Sequence, residues 1–188
     1  MPFPIGHAAV GWAVYQSRRH DASDSMPYSI RPRLVHAAYV AALANLPDLD
    51  VLFGLIVFGN GAAIHRGPTH SLLFAVLTGY LASKGWRLWP RIPRFGFSLC
   101  FFTVFSHVLA DWLLTDAPVS FLWPFELHLS QGHSGWLQIT HMVLFQSIQD
   151  IGLILACLLY VITLRSLRRK TPALPSFAFA RRRGKEQV

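Results

Sequence analysis

The chain has 188 residues, 53% of them hydrophobic and only 14% charged. Soluble domains average about 25% charged, so the composition excludes an ordinary soluble globular protein and points to a single membrane-embedded unit. The formal net charge of +8 could suggest nucleic-acid binding, but the basic residues flank apolar runs and fill the tail, which is the pattern of membrane topology.

Residues 3–17 form a short apolar helix candidate that ends at Ser17-Arg18-Arg19. It falls short of the roughly 20 residues an untilted span needs. It has no basic leader segment, so no cleavable signal peptide is expected. Residues 18–33 read as a polar, basic linker. Residues 34–58 form a long apolar run broken by Pro47, Asp48 and Asp50. Proline is well tolerated at the start of a half-helix, and broken helices in membranes usually line a site. At His65-Arg66-Gly67-Pro68-Thr69-His70-Ser71 the Gly-Pro pair stops any helix. Thr69 is then the expected N-cap of the next run, 71–89. A Pro- and Arg-containing turn (90–95) leads to the apolar segment 96–114, which carries His107 and Asp111 at i and i+4 on one helix face. A sparsely charged loop (115–135), a last long helix (136–164) and a basic, disordered tail follow.

No β-strand alternation is present. The expected fold is therefore all-α: an integral-membrane bundle of about four to five helices over residues 1–164, with a basic cytoplasmic tail over 165–188. Cys100 and Cys157 lie in apolar runs and read as buried residues, with no disulfide framework or CxxC pattern. The Phe and Trp side chains are expected at lipid-facing or interfacial positions.

Loops 18–33 and 84–94 each carry four basic residues, whereas loops 59–70 and 115–135 carry only Arg66 between them. The positive-inside rule puts the first pair and the tail in the cytoplasm. His7, His65, His70, His107 and Asp111 then gather toward the outer half, with Asp48 and Asp50 near the middle.

A carboxylate facing lipid costs roughly 2.5–3.5 kcal/mol, so Asp48, Asp50 and Asp111 must face the interior with cationic partners. Arg66 alone cannot neutralise three. A divalent cation can, and His with Asp suits Zn, Mn or Fe(II). Three Asp and several His exceed the needs of one structural zinc, which favours two or more ions with bridging carboxylates. Taken singly, each stretch has a plain structural reading. His107–Asp111 could be a buried hydrogen bond, Asp48 and Asp50 helix-start residues, and His65 and His70 parts of a polar surface loop. Their combination is what favours metal. His128 and His133, in the second outward loop, are candidates for substrate contact. Gln138, His141 and Gln149 form a polar stripe suited to interhelical hydrogen bonds. His20 and His36 are read as bystanders, and Asp150 has no assigned role.

His7, the Leu46-Pro47-Asp48-Leu49-Asp50 run, the His65–Ser71 run, Ser106–Asp111 and Leu122-Trp123-Pro124-Phe125 together resemble a family of bacterial inner-membrane, metal-dependent hydrolases. One member of that family is described as binding the SOS repressor. The match covers roughly residues 5–145, and the HRGxTHS run is its most specific part. The His-x-x-x-Asp helix is more distantly similar to zinc phospholipase C and P1-type nucleases, which hydrolyse phosphate esters. The tail after Arg165 has no counterpart in these motifs.

The resulting expectation is an inner-membrane, multi-pass hydrolase of phosphate esters, including those of lipids, with its site toward the periplasm. Its metal ligands are His7, Asp48, Asp50, His65, His70, His107 and Asp111. The metal supplies activated water, Asp48 or Asp50 accepts its proton, and Arg66 binds a phosphoryl oxygen. Membrane lipids are the expected surroundings, nucleic acid is not an expected partner, and a protein partner would meet the tail. The rival expectations are a non-catalytic scaffold with a structural metal and a metal or proton transporter.

Overall fold

The computed structural model describes residues 4–18, 30–114, 118–125 and 151–170. Among these it contains six α-helices and no β-sheet. In chain order they are α1 (Pro4–Arg18), α2 (Ile30–Ala44), α3 (Leu49–Phe58), α4 (Leu72–Lys84), α5 (Phe97–Leu114) and α6 (Ile151–Lys170). The fold is all-α. The count exceeds the expected four to five because the 34–58 run is two helices. Pro47, which has no N–H to donate, sits in the turn between α2 and α3, and the two helices meet at a bend of 53°.

Other boundaries shift for local reasons. α2 already begins at Ile30, inside the expected linker. α4 ends at Lys84 and continues only as a single 3-10 turn, Gly85–Arg87. α6 runs on to Lys170, past the expected helix end at 164. Ser71, not Thr69, caps α4: its hydroxyl accepts from the Phe74 N–H at 3.1 Å, which frees Thr69 for another role.

α5 is the central helix and packs against α1, α2 and α4, while α6 packs against α1. Leu43, Ala75, Cys100 and Val104 form the core between α2, α4 and α5. α5 and α6 are each long and apolar enough to cross a membrane, and the bent α2–α3 pair qualifies as one broken span. α6 is largely exposed, with Leu155, Leu158, Leu159 and Ile162 all outward, as expected of a helix that faces lipid.

The described basic residues other than Arg66 gather at one end of the bundle. Arg168 of α6 donates to the Gln16 and Ser17 carbonyls at the end of α1 (3.0 and 2.8 Å). Arg18 donates to Ser98 and lies over the Phe102 ring at 4.1 Å. At that same end Tyr39 of α2 donates to the Ala82 carbonyl of α4 at 2.8 Å. His7, the α2–α3 break and the second half of α5 meet at the other end. With about 1.5 Å of rise per residue, His107 lies roughly 15 Å and Asp111 roughly 21 Å along α5 from its basic end.

Candidate metal centre

Four local features bring the polar side chains together. α1 presents His7 against α5, its ring stacked on that of His107 with centroids 3.7 Å apart. The α2–α3 break delivers Asp48 and Asp50. It also leaves the Ala44 carbonyl at a helix end, where such groups need a partner from outside the helix; His107 Nδ1 donates to it at 2.7 Å. Gly59 ends α3 with a left-handed φ of 66°, a conformation glycine adopts without strain, and the chain turns back so that Gly61 lies against Val51. That reversal carries His65 to Asp50. Finally, Arg66 takes a left-handed φ of 67°, which costs a non-glycine residue about 1–2 kcal/mol. Its carbonyl accepts from Ser120 N, and its side chain turns to Asp111.

His7, His70, His107 and Asp111 are fully buried, and Asp50 nearly so. The side chains of Asp48, His65 and Arg66 retain 17, 12 and 10% exposure and mark the open edge. The Nε2 atoms of His70 and His107 lie 3.2 Å apart. Asp48 Oδ1 is 3.3 Å from His107 Nε2 and 3.7 Å from His70 Nε2. Asp111 approaches His7 Nε2 at 3.4 Å, His70 Nε2 at 3.5 Å and Arg66 Nε at 3.3 Å.

Hydrogen bonding fixes which nitrogens face inward. The Ala44 carbonyl can only accept, so His107 carries its proton on Nδ1. Thr69 donates to Asp50 Oδ2 at 2.5 Å, so its oxygen is left to accept from His70 Nδ1 at 3.1 Å; Asp50 Oδ2 is 3.4 Å from the same nitrogen. In their neutral forms both rings therefore point an Nε2 lone pair at the other. His65 donates from Nδ1 to Asp50 Oδ1 at 2.9 Å, and its buried Nε2 has no hydrogen-bond partner among the described residues. Buried Asp48 Oδ1 has none either.

Facing lone pairs, orphaned acceptors and a carboxylate excess are the setting of a cation site. Asp48, Asp50 and Asp111 are the only carboxylate side chains among the described residues, and all three are here with a single arginine. With neutral imidazoles this leaves two negative charges uncompensated. Three overlapping sets of donors converge within 4.8 Å: His7, Asp48 and His107; Asp48, His65 and His70; and His70, His107 and Asp111. Imidazole and carboxylate without thiolate fit zinc, manganese or ferrous iron. Cys100 lies in the core and Cys157 on α6.

Of the residues singled out from sequence, His7, Asp48, His65, Arg66, His70, His107 and Asp111 assemble in one place. Asp50 departs from the expected ligand set. Both its oxygens are engaged by His65, His70 and Thr69, and it belongs to none of the converging sets. Its place is behind His65 and His70, where a carboxylate fixes tautomer and ring orientation. Sequence reasoning missed Thr69 and the Ala44 carbonyl. Thr69 fits a capping pattern equally well, and a carbonyl leaves no mark in side-chain chemistry. His36 bonds Tyr15 at 3.0 Å at the basic end, away from the site. His20, His128, His133, Gln138, His141, Gln149 and Asp150 lie outside the described residues.

A family model described as YdjM inner membrane protein matches residues 1–172. The inner membrane protein YbcI of Escherichia coli (strain K12) is 39% identical over 132 residues, covering 66% of this chain and 68% of that protein. No solved structure matches. The chain belongs to the YdjM inner membrane protein family, in agreement with the inner-membrane family it resembles by its motifs.

Proposed function

We propose that this protein is a membrane-embedded, metal-dependent hydrolase of phosphate esters, and that lipids and other amphiphiles are its substrate class. The reading is carried by the approach of His70 and His107, two buried imidazoles aimed at each other lone pair to lone pair within a surplus of carboxylate. In this proposal His7, Asp48, His65, His70, His107 and Asp111 hold two or more divalent ions, zinc first, with Asp48 shared between neighbouring donor sets. Bound metal supplies a Lewis acid and a water acidified toward neutral pH.

The chain's own groups do the rest. Asp50 and Thr69 hold His65 and His70 in the tautomers that present Nε2. Arg66 Nη1 is buried without a hydrogen-bond partner among the described residues. The arginine stands at the open edge, where its planar fork suits a phosphoryl oxygen. Asp48 stands at the open edge with 17% of its side chain exposed, placed to accept a proton. Segment 118–125 lies alongside, tied down by Ser120 N to Arg66 O and Leu72 N to Phe121 O. Near this edge Leu49, Leu52, Trp123 and Phe125 are exposed, a rim suited to an acyl chain. The bundle's basic end is opposite, so the positive-inside rule supports a site open to the periplasm or outer leaflet.

The test is hydrolysis by detergent-purified protein of a short-chain phosphatidic acid and of p-nitrophenyl phosphate. The proposal expects phosphate release that a chelator stops, zinc or manganese restores and His107→Ala lacks. Tight metal binding with no hydrolysis of either ester would favour the scaffold or transporter reading.

A further inference from the structure

We infer that the basic end of the bundle carries a second ligand site, separate from the metal centre, for the phosphate of an anionic phospholipid headgroup. Tyr80, Ser83, Lys84, Trp86, Arg94 and Phe97 line an open cleft of about 370 Å³ between the end of α4 and the start of α5. Segment 84–97 carries Lys84, Arg87, Arg91 and Arg94 and not one acid. Every carboxylate among the described residues is at the other end, in the metal centre. The cleft's cations therefore have no acidic partner among the described residues, which leaves them suited to an anionic ligand.

The cleft is built rather than merely charged. The Arg94 guanidinium lies 4.5 Å from the Trp86 ring centroid, which holds its planar fork beside the cleft. Lys84 lies 5.8 Å over the Tyr80 ring on the same side. Ser83 is buried, with its hydroxyl donated to the Tyr80 carbonyl at 2.7 Å. Phe97 opens α5, and the start of a helix carries partial positive charge that favours phosphate.

The surroundings specify a lipid rather than a free ion. Leu81 (67%), Leu88 (92%) and Trp89 (58%) are exposed around the cleft, so apolar and aromatic groups flank the cations as at a bilayer interface. A basic pocket between membrane helices, level with the headgroups, is the usual setting for an anionic lipid.

Native mass spectrometry of the full chain in detergent tests this with dioctanoyl phosphatidylglycerol, dioctanoyl phosphatidylcholine and inorganic phosphate as probes. The inference expects one phosphatidylglycerol retained per chain in preference to phosphatidylcholine. Retention should weaken at least fivefold in the Lys84→Gln/Arg94→Gln double variant and stay unchanged in Arg91→Gln, which removes a neighbouring charge outside the cleft. Millimolar phosphate should not displace the lipid. Equal retention of the two lipids, an unaffected double variant, or an equal loss in Arg91→Gln would overturn the inference. Displacement by phosphate would overturn its assignment to a lipid. None of these outcomes depends on the metal centre.

Discussion

His70 and His107 face each other with Nε2 atoms 3.2 Å apart, and each ring has its other nitrogen committed to an acceptor. Two lone pairs at that distance repel unless a proton or a metal ion lies between them. Asp48 Oδ1 lies within 3.7 Å of both nitrogens and Asp111 Oδ2 lies 3.5 Å from that of His70, a surround that suits the divalent cation proposed above.

Asp111 is the fully buried carboxylate, and it approaches His7, His70 and Arg66. Asp111→Asn should abolish metal loading while leaving membrane insertion intact, because an amide is a weak neutral ligand. Elemental analysis beside a membrane-extraction assay checks both halves. Unchanged metal content would assign Asp111 to packing.

Asp50 and Asp48 should separate. Asp48→Asn removes a converging oxygen and should strip metal as Asp111→Asn does. Asp50→Asn removes the acceptor behind His65 and His70, and should weaken metal affinity by about 10–100-fold while leaving the site loadable in excess metal. Competition with a fluorescent chelator measures the difference. Equal losses in the two variants would return Asp50 to the ligand set.

Arg66→Lys should keep its metal and lower kcat/KM for a phosphate ester by on the order of 10²-fold, since an ammonium does not reproduce the planar fork. Kinetics with metal content measured on the same sample would show it. Full activity in this variant would place Arg66 with Asp111 as a structural pair only.

Much of this was readable in the residues. The all-α fold follows from run lengths and flanking charges, and the loop-charge rule, which takes no account of metal chemistry, puts His7, His65, His70, His107 and Asp111 on one side, where the structure brings them together. The division of labour within the site was not readable. Asp48 and Asp50 are two residues apart in one apolar run, and only the 53° break and the return of the chain after Gly59 send one inward and the other behind the histidines. Thr69 and Ser71 are both good caps by type. Which one caps α4 depends on where Pro68 places the 3-10 turn Pro68–His70.

α4 and α5 cross where Gly79 has no side chain. A Cβ there would lie 2.7 Å from Phe101 Cα and 2.8 Å from its nitrogen, both backbone atoms that cannot step aside. Gly79→Ala should therefore destabilise the folded protein by about 1–3 kcal/mol and lower its thermal midpoint in detergent. An unchanged midpoint would mean the two helices can separate at no cost.

Orientation decides which compartment the His/Asp cluster faces. Ala62 and Arg91 are both exposed and lie toward opposite ends of the bundle. With Cys100 and Cys157 replaced, a cysteine at 62 should react with an impermeant maleimide in intact cells and one at 91 should be protected. The reverse pattern would place the metal centre on the cytoplasmic side.

The most direct measurement is the metal content of the wild-type protein, purified without chelator and quantified per chain by elemental analysis. The account predicts one to three transition-metal ions per chain, zinc foremost, surviving dialysis and released by a strong chelator. A protein that folds, extracts normally and holds no stoichiometric metal would contradict it.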